Sequence, residues 1–71
     1  MPKNVEELVI NYMVTRKNAG DPSVQRAEIS LYLKSIGINK DNVIKGIDEV
    51  LRRKRLLPLQ NGKITLNPRM R

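Results

Sequence analysis

The chain has 71 residues, no cysteine, no histidine and a net charge of +7, which leaves out a disulfide framework, a thiolate or imidazole metal centre, and His or Cys catalysis. A single domain of this size buries only about 60% of the surface its unfolded form exposes, and with Tyr12 and Tyr32 as its only aromatics it must build its core from Ile, Leu, Val and Met. No apolar run approaches the roughly 18 residues of a membrane span, and the N-terminus lacks a signal-peptide pattern, so no membrane partner and a cytoplasmic location are expected.

The first helix is expected over residues 4–18. Asn4 serves as N-cap, with Glu7 at the capping-box position. Val5, Leu8, Val9, Tyr12 and Met13 recur at the spacing of one apolar helix face. Arg16 and Lys17 fall in the last turn, where cations suit the helix dipole, and Asn18-Ala19-Gly20 followed by Asp21-Pro22 ends the helix in a turn.

The second helix falls within residues 24–36 and buries Ile29, Tyr32, Leu33 and Ile36. Its start is open. Ser23 is the better cap chemically, whereas Gln25, with Glu28 three residues on, starts the helix later and leaves Ser23-Val24-Gln25 as a short extended segment. Gly37 suits the left-handed residue that closes a helix. The third helix spans residues 40–55, capped by Asn39, with Val43, Ile47, Val50 and Leu51 as its stripe and Ile44 at the margin. Pro58 limits its continuation. Gly46 costs about 1 kcal/mol relative to Ala in mid-helix, so either a neighbour approaches closely there or the site tolerates the loss.

A wing hairpin is expected over residues 57–66. Asn61-Gly62 is the favoured pair of a two-residue type I′ turn. That turn pairs Gln60 with Lys63, Leu59 with Ile64 and Leu57 with Leu66, placing four apolar side chains on one face. Residues 67–71 form a basic tail.

The fold class is thus mostly α with a C-terminal β-hairpin, in one domain. Two apolar helices joined by a Gly-containing turn make a helix-turn-helix. The stretch Ala27-Glu28-Ile29-Ser30-Leu31-Tyr32-Leu33-Lys34-Ser35-Ile36-Gly37-Ile38, then Val43, Ile47 and Leu51, then Leu56-Leu57 and Asn61-Gly62, resembles the winged-helix-turn-helix superfamily over residues 5–66. The resemblance lies at the level of the fold. It implies DNA binding, with the third helix in the major groove and the hairpin as a wing on the backbone or minor groove.

Charge refines that expectation. With Ile47 at the centre of the buried face, Asn42, Lys45, Glu49 and Arg52 point outward, flanked by Asp41 and Asp48. From Lys40 to Glu49 the charges sum to −1, unusual for a helix in the major groove. Asn42 and Lys45, with Lys40 at the helix start, are the candidate contacts to base edges or nearby phosphates. Residues 1–51 hold seven bases and seven acids, whereas Arg52, Arg53, Lys54, Arg55, Lys63, Arg69 and Arg71 follow with no acid among them. The helix dipole accounts for part of the Arg52–Arg55 run. The remainder fits phosphate contact, with Lys63 on the wing the best single candidate. Gln25 and Arg26 lie at or near the start of the second helix, whose N-terminus often faces a phosphate in winged helices.

The function expected is double-stranded DNA binding, mainly to phosphates, through the end of the third helix and the wing, as in a transcription regulator or chromatin-type factor. The alternative is a small accessory subunit of a replication or transcription complex, docking on a larger nucleic-acid-processing protein. No separate dimerisation helix is evident, so a monomer is expected over a homodimer. No enzyme activity and no cofactor are expected. The four glycines are isolated, the serines lack a base partner, and Asp48 and Glu49 point about 100° apart on a helix.

Overall fold

The computed structural model describes residues 5–69, so the Asn4 cap and Arg71 of the basic tail lie outside the described residues. The chain runs α1 (Val5–Asn18), β1 (Ser23–Gln25), α2 (Arg26–Ser35), α3 (Lys40–Arg52), β2 (Leu56–Pro58) and β3 (Lys63–Leu66). The three strands form one antiparallel sheet in the order β1-β3-β2. This is a three-helix winged-helix-like architecture, mostly helical, with the expected C-terminal hairpin and one additional strand.

The core draws on every element. Val9 and Met13 of α1, Val24 of β1, Ile29 and Leu33 of α2, Ile47 and Val50 of α3, Leu56 of β2 and Ile64 of β3 are all buried. Such aliphatic burial is worth about 1.5–3 kcal/mol per side chain. No polar or charged side chain is buried among the described residues. The α1 stripe holds as expected, with Val5, Val9 and Met13 buried and Leu8 and Tyr12 packed against the core. On α2 the stripe ends at Leu33. Ile36, expected to be buried, is 46% exposed because it is the C-cap, where the backbone has left the helix.

Three corrections to the boundaries follow from backbone hydrogen bonding. Residues 24 and 25 are not helical: Val24 pairs with Ile64 and Gln25 with Lys63. The later start of α2 is therefore the one adopted, and Gln25 is its N-cap. The cost of a short extended segment is met by sheet pairing and by burial of Val24. Next, α3 ends at Arg52 rather than Arg55. Lys54 adopts φ +60°, Lys54 N–H donates to Leu51 O (3.0 Å) and Arg55 N–H to Val50 O (3.0 Å). This is a Schellman closure. The same bond pair closes α1 around Gly20 and α2 around Gly37, so Lys54 stands where the other two helices have glycine.

The third correction is the hairpin register. Leu56 pairs with Leu66, Leu57 with Thr65 and Pro58 with Ile64, one residue away from the expected pairing. A type I′ turn needs positive φ at both central residues. Here Gly62 alone has it, at +82°. Gly62 N–H donates to Leu59 O (3.1 Å) and Leu59 N–H to Lys63 O (2.7 Å), while Asn61 Oδ1 accepts from Lys63 N–H (3.1 Å). The loop is therefore Gln60-Asn61-Gly62, a three-residue connection with glycine in the left-handed position. Leu56 and Ile64 share the core face, while Leu59, expected there, is 40% exposed.

Candidate nucleic-acid interface

The exposed face of α3 follows from what it buries. Val43, Gly46, Ile47 and Val50 face the core, leaving Asp41, Ile44, Lys45, Asp48 and Arg52 outward, with Lys40 exposed at the first turn. Asn42 and Glu49, expected to point outward, are only half-exposed. Asn42 belongs to the helix start: its backbone N–H donates to Asn39 Oδ1 (2.9 Å), which makes Asn39 the expected cap.

The start of α2 lies against this face. Arg26 Nη2 donates to Asp48 Oδ1 at 2.7 Å. Gln25 makes no side-chain capping bond, and it sits across the sheet from Lys63. A continuous surface therefore runs from Lys63 through Gln25 and Arg26 to Asp48 and Lys45. Three segments far apart in the chain are joined there by one strand pairing and one ion pair.

The Arg52–Arg55 run behaves differently from a free cationic patch. Glu49 accepts from Arg52 Nε (3.1 Å), Arg52 Nη2 (2.5 Å) and Arg53 Nε (2.8 Å). Arg53 also lies 3.8 Å from Glu6, and Arg55 lies 3.3 Å from Glu6 and 3.4 Å from Glu7. Three arginines thus share three carboxylates. Hydrogen bonds from Arg52, then from Arg53, hold the Glu49 carboxyl below its ordinary value. Arg52, Arg53 and Arg55, three of the seven basic residues after residue 51, are thus offset in space by acids at the start of α1 and on α3 itself.

Apart from Arg69, the two cation types divide. Arg16, Arg26, Arg52, Arg53 and Arg55 are in ion pairs, Arg16 with Asp21 at 2.7 Å. Among the described residues, Lys17, Lys34, Lys40, Lys45, Lys54, Lys63 and Arg69 have no carboxylate within ion-pair distance. The planar, forked guanidinium suits fixed pairing, and the lysine ammonium remains a mobile point charge. Lys40, Lys45 and Lys63 border the α3–wing surface. Lys54 and Arg69 stand at the opposite end of the hairpin, where Asn67 Nδ2 donates to Lys54 O (2.7 Å) and Arg69 N–H to Asn67 Oδ1 (3.0 Å).

The pairing of Glu49 with Arg52 and Arg53 was legible as i,i+3 and i,i+4 spacing. The links from Glu6 and Glu7 to residues nearly fifty positions away carry no such local signal. Between α1 and β3, Ile10, Val14, Lys17, Pro22, Thr65 and Leu66 line an open groove of about 760 Å³. No group of three or more Asp or Glu side chains converges on a metal-sized site among the described residues, and no helix among them is long and apolar enough to cross a membrane. No protein-family model, curated protein or solved structure matches the chain.

Proposed function

We propose that this protein binds double-stranded DNA through its phosphates, with little reading of base edges, as a small regulator or chromatin-type factor rather than a catalyst. The observation that carries this reading is the α3–wing surface. It presents Lys63, Lys40 and Lys45 without carboxylate partners beside the uncapped start of α2, in an architecture that resembles winged-helix DNA-binding modules. Outward charges on α3 alternate in sign, and Asp48 is neutralised by Arg26, so the helix neither repels phosphate strongly nor offers many base-reading groups. Lysine point charges favour sequence-independent backbone contact. Such a protein would act in the cytoplasm, at the nucleoid in a prokaryote, as a monomer.

The test is fluorescence anisotropy of a random-sequence duplex titrated with protein across a salt series. Affinity is expected to fall steeply with salt, and Lys45→Ala with Lys63→Ala to reduce the slope of log K against log salt by about 2. Weak affinity at low salt, or an unchanged slope in the double variant, would exclude this mode.

A second reading, docking as an accessory subunit on a larger protein of a nucleic-acid-processing complex, is favoured by the groove between α1 and β3. Its apolar lining, with Val14 40% exposed, includes no residue of α3. A stable stoichiometric partner whose binding is abolished by Val14→Asp, together with negligible duplex affinity, would favour that role.

A further inference from the structure

Glu49 occupies the two guanidinium groups best placed to meet phosphate at the end of α3. Arg52 and Arg53 are exposed, at 70% and 57% of their side-chain surface, whereas Glu49 retains only 26%. The carboxylate lies low against the helix and the guanidinium groups fold down onto it. A groove of about 490 Å³ runs alongside, lined by Glu6, Lys45, Asp48, Glu49, Arg52 and Arg53. It is open to solvent, so a phosphate entering it would meet both arginines together with the carboxylates that hold them.

We infer that Glu49 is an internal competitor for phosphate, holding Arg52 and Arg53 in the free protein and setting how tightly the end of α3 engages a nucleic-acid backbone. This rests on the phosphate-binding reading above. Exposed ion pairs are individually weak, so a phosphate oxygen, which accepts guanidinium hydrogen bonds in the same forked geometry, can displace the carboxylate. The displaced Glu49 would then stand unpaired near the polyanion, and that repulsion lowers affinity. Asp41 is the appropriate contrast: it is exposed on the same helix and has no cation within ion-pair distance among the described residues.

Glu49→Gln keeps the shape and removes the charge. Random-duplex affinity at low salt is expected to rise about three- to tenfold over wild type. Asp41→Asn, the same change of one charge, should give a smaller gain. In an Arg52→Ala, Arg53→Ala background, Glu49→Gln should add no more than Asp41→Asn does. A second measurement needs no substitution: the side-chain Nε–H resonances of Arg52 and Arg53 in the wild-type protein should move when duplex is added.

Equal or weaker binding by folded Glu49→Gln, an equal gain from Glu49→Gln in the Arg52→Ala, Arg53→Ala background, or stationary arginine resonances under duplex saturation would each overturn the competition while leaving phosphate binding intact. A wild-type protein with no salt-dependent duplex affinity would overturn the phosphate-binding reading itself, and this inference with it.

Discussion

Val5, in the first turn of α1, fills the space where Gly46 of α3 lacks a side chain. A Cβ built on Gly46 would overlap Val5 Cγ1 and lie 3.2 Å from Val5 Cβ. Val5 is fully buried, and its branch point is held by the helix backbone, so it has little room to give. The mid-helix glycine is thus the contact that lets α1 and α3 approach. Gly46→Ala should gain about 1 kcal/mol of helix propensity but lose more to overpacking, itself about 1–3 kcal/mol or above. A net loss of stability is expected in urea denaturation. Val5→Ala should rescue part of it, because Val5→Ala with Gly46→Ala removes the overlapping methyl. An additive double mutant would show that the two residues do not compete for space.

Lys54 takes the left-handed conformation that Gly20 and Gly37 take at the ends of the other helices. An L-residue there costs about 1–2 kcal/mol, partly offset because glycine gives the unfolded chain more freedom. Lys54→Gly is therefore expected to stabilise the protein by about 0.5–1 kcal/mol, read as an increase in denaturation midpoint. Backbone strain retained at an exposed cation is consistent with a charge kept for function. On that account Lys54→Gly gains stability and loses some duplex affinity, whereas Lys54→Ala, another L-residue at the same φ, loses affinity without the gain in stability.

Tyr12 ties α1 to α2. Its ring stacks on Tyr32 with centroids 4.5 Å apart, and its hydroxyl donates to Glu28 Oε2 at 2.5 Å. Arg16 Nε, buried and without a hydrogen bond, lies 3.4 Å from the same oxygen. Burial, then the bond to Glu28, raises the Tyr12 pKa above 10.0. A raised native pKa favours the protonated form, so this stabilisation is complete below the ordinary tyrosine range. It is lost as pH rises through the raised value. Tyr12→Phe should cost about 1 kcal/mol near neutral pH and flatten the alkaline decline in thermal midpoint.

At the acid end the sign reverses. The Glu49 carboxyl is lowered by Arg52 and Arg53, so its contribution is present above the ordinary carboxyl range and lost as pH falls through the lowered value. Glu49→Gln should show a shallower fall in thermal midpoint below pH 4.5 than wild type does. Equal acid limbs would mean that the pair adds nothing to stability.

Local chemistry made much of this fold legible. The helix stripes, the Asn39 cap and the closures at Gly20 and Gly37 follow from residue type and spacing. The hairpin register does not, because Asn61-Gly62 is compatible with both a two-residue and a three-residue loop. The choice between them depends on Leu56 and Ile64 filling a core that local sequence does not reveal. The extended Ser23–Gln25 segment is likewise fixed by its partner strand. At the candidate site the lysines were identifiable as charges, but cancellation of the arginine run by Glu6 and Glu7 depends on bringing residues together across nearly the whole chain. Sequence order made residues 52–55 look like the strongest cationic patch. Their pairing shifts the weight to Lys40, Lys45 and Lys63.

Backbone amide chemical-shift mapping of the wild-type protein with a short random-sequence duplex tests that shift most directly. Perturbations concentrated at Gln25–Ala27, Lys40–Lys45 and Asn61–Lys63, with smaller ones at Arg52–Arg53, all fading as salt is added, are the predicted result. Perturbations confined to Ile10, Val14 and Leu66, or none at a concentration that saturates a basic DNA-binding control, would contradict it.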